Sequence, residues 1–289
     1  MKLVTYEHPS GPRAGAVVSG VVHDVAMLGA LPHTMLGLIE AGPAALAELR
    51  AALDGGATGG VPLDAVRLLA PIPRPPKGVI GIGLNYAEHV EESARAMDTT
   101  REVSYPVIFI KPPTAVTGPD TDILHPPLTR QLDWESELGV VIGRRCRSVA
   151  EADAMSAVFG YTCVNDISAR DLRHGGQWTF AKGLDGFAPM GPWIVTADEI
   201  PDPHALRVQL RVNGVSKQDG NSAQMIFRIP RLITHLSSGM TLEPGDVIAT
   251  GSPAGVGISR TPPEFLQPGD AVEVEVEGIG TLRNRIVAG

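Results

Sequence analysis

Cysteine is nearly absent from this sequence. Cys146 and Cys163 are the only two in 289 residues and form no C-x-x-C spacing, which argues against a disulfide and for two buried thiols in a reducing compartment. Clusters of lysine and arginine are missing as well. With a formal net charge of -8, the chain offers no nucleic-acid surface. An acidic enzyme acting on an anionic substrate needs local positive charge, and a bound cation would supply it. No apolar run approaches the roughly 18 residues of a spanning helix, and the start, Met1-Lys-Leu-Val-Thr-Tyr-Glu7, lacks the apolar core of a signal peptide. The expectation is a cytoplasmic protein with no membrane partner. A third glycine is missing after Gly81-Ile-Gly83, and no acidic strand end follows, so a dinucleotide site is disfavoured.

What is present reads as α+β, mostly β. Hydrophobic residues make up 43% of the chain, enough for one large domain and a smaller one. Residues 1–70 read as a small α+β domain: short strands over 2–6, 14–18 and 20–27, then helices over 34–41 and 43–53. Pro71-Ile-Pro-Arg-Pro-Pro76 is a stiff linker. Residues 71–289 form the larger domain, in which many short strands and few helices suggest a β-roll or sandwich. A strand over 105–111 ends in prolines that place it at a sheet edge or loop. A helix over 148–158, a hairpin turning at Asn213-Gly214 and a short helix over 230–237 complete the pattern.

The organising stretch runs from Asp133 to Arg170. Glu135 and Glu137 are two apart in Leu-Asp-Trp-Glu-Ser-Glu-Leu-Gly-Val-Val-Ile, a strand by its alternation, so both carboxylates leave one face. Asp166 ends a second apolar run. Three acids on neighbouring strands repel one another unless a cation lies between them, and oxygen-only ligands select a hard divalent ion. The plain alternative is a half-buried strand with a solvated acidic face. The apolar run Val140-Val-Ile142 pulls the carboxylates inward, where unpaired charge is costly.

Other candidates are weaker singly. His89 and Glu92 stand at i,i+3 on a helix, where a carboxylate can orient an imidazole and raise its basicity; an incidental pair on a polar face is the alternative. Polar residues 97–104 read as a lid or an ordinary loop. Lys182 lies in an apolar, glycine-rich segment near Asp185, as a functional or carboxylate-paired cation. The small-residue loop Thr250-Gly-Ser-Pro-Ala-Gly-Val-Gly257 can hold a carboxylate on its amides and hydroxyls, or is simply a tight turn.

Five motifs in order, Gly83-Leu-Asn-Tyr-Ala-Glu-His89, the 132–143 strand, Gly160-Tyr-Thr-Cys-Val-Asn-Asp-Ile-Ser-Ala-Arg-Asp171, Gln177-Trp-Thr-Phe-Ala-Lys182 and the 250–257 loop, resemble the fumarylacetoacetate hydrolase family. The likeness runs from about Pro71 to the C-terminus, and the small leading domain resembles that of the family's bacterial branch. The resemblance implies a β-roll core, a homodimer, and Mg²⁺ or Mn²⁺ on Glu135, Glu137 and Asp166. It implies that His89 and Glu92 activate water on a closing helix, that Lys182 is the active-site lysine, and that Gln177 and Ser252 contact substrate. Gly183 and Gly186 depart from the family pattern, which has hydroxyl side chains there, and put the usual substrate in question.

The expected substrate is a small 2-oxo or 2,4-dioxo acid. The leading expectation is hydrolysis of the C–C bond of an acylpyruvate-like 2,4-dioxo acid, with His89 as base and Lys182 stabilising the oxyanion. Decarboxylation, tautomerisation and hydration or dehydration on the same scaffold are the alternative. A metal-bound scaffold without turnover is the least favoured.

Overall fold

The computed structural model describes residues 1–97 and 104–289. The 97–104 segment read as a lid or loop therefore lies largely outside the described residues. Among these, no helix is long and apolar enough to cross a membrane.

The fold is α+β and dominated by sheet. Its main sheet runs in the order Val61–Pro62, Val21–Asp24, Arg13–Val18, Lys2–Tyr6, Ala188–Thr196, Val158–Asn165, Ser136–Ile142, Val247–Ala249, Val79–Gly83 and Val107–Lys111. A second sheet of five strands orders Val215–Asn221, Arg207–Val212, Ala271–Val276, Gly280–Ala288 and Asp122–His125. The two share one apolar cluster, to which the main sheet gives Leu138 and Val140 and the second gives Leu210, Val274 and Ile286. The other face of the main sheet packs Val141 and Val164 with Leu3, Leu38 and Leu49 from the first 70 residues. Lys2–Tyr6 also pairs antiparallel with Ala188–Thr196, so the leading segment extends the main sheet while covering one face of it.

This two-sided burial explains the central strand. Every residue of Ser136–Ile142 is buried, and alternate side chains feed different cores. Glu137 thus emerges from the middle of the protein. The hairpin turn falls where expected: Asn213 and Gly214 have φ of 51° and 77°, the pair of positive angles a tight two-residue turn requires.

Two expectations need correction. The strand over 132–142 is broken, because Leu132–Asp133 pairs with Ser168–Ala169 in a separate ladder. Between the pieces the Glu135 amide bonds the Asn165 side chain at 3.2 Å; the acidic face is buried, not solvated. The helix over 148–158 is a 3₁₀ helix, Glu151–Ala157. Its buried residues, Ala154 and Ala157, are three apart and match the three-residue turn of that helix. The two helices expected in the first 70 residues are both present within Met35–Asp54, separated where Gly42 leaves helical geometry at φ 74° and ψ -160° ahead of Pro43.

Candidate metal centre and active site

Two strand ends converge at the site. Glu135 and Glu137 flank the start of Ser136–Ile142, and Asp166 follows the end of Val158–Asn165; Ser136 pairs with Asn165 across that ladder. The Asp166 amide also bonds the Glu135 carbonyl at 2.9 Å. One ligand atom from each of Glu135, Glu137 and Asp166 lies within 4.8 Å of the others, and all three residues are buried.

Cations gather around them. Lys182, at the end of the Trp178–Lys182 helix, places Nζ 2.7 Å from Glu135 Oε2 and 2.8 Å from Ser168 Oγ, and also bonds Asp166 Oδ2. The carboxylate partners of Lys182 are therefore Glu135 and Asp166, whereas Asp185 is exposed. Arg170 sets Nη2 2.8 Å from Glu135 Oε1 and Nε 2.8 Å from Asp133 Oδ2. Lys111, fully buried, bonds Asp166 Oδ1 and donates to the Ile167 carbonyl at 3.0 Å. Burial lowers the Lys111 ammonium to about 8, against the pull of Asp166.

Lys111, Arg170 and Asp133 were not singled out from the sequence. The signal for Lys111 was its place as the one charge in Val-Ile-Phe-Ile-Lys, an otherwise apolar strand. Asp133 had no such signal. Its carboxylate accepts from the Gly257 and Ile258 amides at 2.7 and 3.0 Å, contacts that exist only once the 250–257 loop has folded back.

The residues fit a divalent cation. Four buried carboxylates (Asp133, Glu135, Glu137, Asp166) meet three cations (Lys111, Arg170, Lys182), which leaves one negative charge uncompensated. It falls on Glu137, which has no cationic partner among the described residues and accepts one bond, from the Gly251 amide at 2.7 Å. Burial first, then Asp166 and Glu135, hold its carboxyl well above the usual carboxylate range. Glu135 lies well below that range despite its burial, because Lys182 and then Arg170 stabilise the charge. A hard cation on one oxygen from each acid would remove the deficit at Glu137.

The His89–Glu92 pair sits beside this centre. His89 Nδ1 is 2.7 Å from Glu92 Oε1, and His89 Nε2 is 4.0 Å from Glu135 Oε1. Glu92 Oε2 accepts the Gly255 amide at 2.9 Å, so the Ala87–Met97 helix is fastened to the 250–257 loop. The Glu92 carboxylate is an acceptor for Nδ1–H, and the second ring nitrogen, Nε2, faces Glu135. The spacing signal thus corresponds to a formed contact on a helix face that is not exposed at His89.

Ser252 is buried, and its Oγ accepts from Gln218 Nε2 at 2.7 Å, which leaves its own O–H to donate. Gly251 beside it has φ 101°, and a Cβ there would stand 2.7 Å from Asn85 Cβ, so the loop's approach to Glu137 requires glycine. Gln177 is exposed and lines a cavity of about 620 Å³ with Ile108, Phe109, Trp178 and Phe180. Among the described residues no hydrogen bond joins its side chain to the carboxylate cluster. At Gly183 a Cβ would stand 2.5 Å from the Thr179 carbonyl oxygen and 2.7 Å from Pro112 Cδ. A side chain at 183 therefore requires the end of the lysine helix to shift.

A family model described as fumarylacetoacetate (FAA) hydrolase, C-terminal, matches residues 78–287. The chain belongs to the fumarylacetoacetate hydrolase family. A mitochondrial oxaloacetate tautomerase of Bos taurus is 42% identical over 295 residues, covering 99% of this chain and 92% of the relative. The oxaloacetate tautomerase YisK of Bacillus subtilis is 49% identical over 228 residues, 78% of this chain and 74% of the relative. Among solved structures, the maleylpyruvate hydrolase of Sphingobium sp. SYK-6, in complex with manganese (II) ion and pyruvate, superposes with a TM-score of 0.83 at 32% identity, covering 100% of both chains. Fumarylacetoacetate hydrolase family members thus include tautomerases and hydrolases on this scaffold. The acidic triad seen here suits the divalent ion of that complex.

The metal-free protein should respond to pH through Glu137. Folding raises its pKa, so its protonated form favours the folded state below the ordinary glutamate value of 4.5. That contribution is lost as pH rises through the folded value. Mn²⁺ should therefore raise Tm more at pH 7 than at pH 5, with protons released on binding. Thermal scans with and without Mn²⁺ at both pH values check this; an equal rise would place the ion elsewhere.

Proposed function

We propose that this protein is a divalent-metal-dependent tautomerase of a small 2-oxo dicarboxylic acid of the oxaloacetate type. The observation that carries the reading is the His89–Glu92 pair, whose free imidazole nitrogen is aimed at the acidic triad. The names of the two curated relatives support the substrate class. A cation held by Glu135, Glu137 and Asp166 would supply Lewis acidity toward the keto oxygen of the substrate.

The chain's own groups move the proton. His89 Nε2 removes a proton from C3, and the electron pair of that C–H bond becomes the C2–C3 double bond. The C2 carbonyl π pair shifts to oxygen, which takes the proton back from the imidazolium and closes the enol. Glu92 stabilises the imidazolium in between. Lys182 keeps positive charge beside the developing oxyanion, and the Ser252 O–H, left to donate by the bond from Gln218, takes a substrate carboxylate.

A second reading is C–C bond hydrolysis of a 2,4-dioxo acid, in which His89 takes its proton from water instead. The likeness to a maleylpyruvate hydrolase favours keeping it. The Mn²⁺-loaded protein should speed enol–keto interconversion of oxaloacetate, followed by ultraviolet absorbance, and cleave acetylpyruvate slowly or not at all. Acetylpyruvate cleavage without acceleration of the oxaloacetate equilibrium would overturn the tautomerase assignment in favour of hydrolysis.

A further inference from the structure

We propose that Lys111 is a positioning residue that sets the charge of the metal centre, opposing the cation and attracting the anionic substrate. This rests on the metal-dependent 2-oxo acid reading above. Lys111 is 0% exposed, and carboxylate and carbonyl partners within the protein already hold its ammonium. Its ammonium bonds Asp166 Oδ1 and the Ile167 carbonyl, a triad member and the residue next to it. Whatever it does for the reaction passes through Asp166 or through its field.

The field has a definite sign. Asp133 and Arg170 form their own ion pair, so the triad's three negative charges are set against Lys111 and Lys182. With all three acids ionised, the balance is one negative charge before a divalent ion enters and one positive charge with it. Without Lys111 the loaded site would be neutral, and a dianionic substrate would lose its attraction. The empty triad would meanwhile be more negative and would bind a cation more tightly. Lys111 holds Asp166 Oδ1 while Lys182 holds Oδ2, so the two lysines together fix the orientation of this carboxylate.

A lysine that merely filled space or stabilised the fold would not shift the two affinities in opposite directions. The test uses Mn²⁺ alone, and oxalate on the Mn²⁺-loaded protein, each titrated by calorimetry. In Lys111→Met, Mn²⁺ should bind at least about threefold tighter and oxalate about tenfold weaker, the scale of one nearby charge in a screened site. Losing one partner of a buried pair can prevent folding, so Lys111→Gln, which keeps a hydrogen-bond donor without the charge, gives a second measurement with the same expected signs. Lys111→Arg should restore both affinities to within about threefold of wild type. Mn²⁺ affinity unchanged or weaker in both neutral variants overturns the cation half of the proposal, and unchanged oxalate affinity overturns the anion half. A wild type that loads Mn²⁺ but binds no oxalate overturns the 2-oxo acid reading and the anion half with it.

Discussion

Replacing His89 with alanine is expected to lower kcat for oxaloacetate tautomerisation by about 10²–10⁴-fold, the usual contribution of a positioned general base. Mn²⁺ affinity should stay within about twofold, because Nε2 stands 4.0 Å from Glu135 and is not one of the clustered acid ligands. The effect should fall on kcat rather than KM, since an interaction made in the transition state is the one removed. Steady-state rates beside Mn²⁺ calorimetry check both halves. An unchanged kcat would remove the His89–Glu92 pair from the chemistry, and a lost metal would make His89 a ligand instead of a base.

Glu137→Gln should produce two effects of opposite sign. Removing a ligand should weaken Mn²⁺ by at least about 100-fold, the upper end of what even an outer-shell partner contributes. The metal-free protein should become more stable, because Glu137 is the buried carboxylate without a cationic partner among the described residues. Glutamine keeps its shape and its acceptor for the Gly251 amide without the cost of a buried like charge. Thermal scans of stripped and Mn²⁺-loaded protein separate the two. A stripped variant that melts earlier than wild type would mean that Glu137 is needed by the fold and not by an ion.

Much of this site was legible in the sequence because period-two spacing and a strand-ending acid survive translation into three dimensions. Glu135, Glu137 and Asp166 are close in space for the reason that Ser136 faces Asn165 in one ladder. His89 and Glu92 meet because three residues is nearly one helical turn. What spacing could not carry was the break at Trp134 and Glu135, which depends on a ladder with Ser168–Ala169, formed by residues more than thirty positions away. Lys111 shows the same limit. Its partner Asp166 is 55 residues distant, and no local pattern distinguishes a buried lysine that ends a strand from an exposed one. Gln177 is exposed on the wall of a cavity, a placement that the motif alone does not specify.

The division of the chain at residue 70 followed a change in composition, whereas the sheet runs through it. Lys2–Tyr6 lies directly beside Ala188–Thr196, a long-range pairing that local composition does not encode. Composition reports where local pattern changes, and sheet continuity is decided by pairing across the whole chain.

The central claim is that Glu135, Glu137 and Asp166 together grip one divalent ion, and crystals soaked in Mn²⁺ test it most directly through anomalous diffraction. The expected result is a single strong peak about 2 Å from one carboxylate oxygen of each of the three. A peak elsewhere, or none among these acids at saturating Mn²⁺, would contradict it.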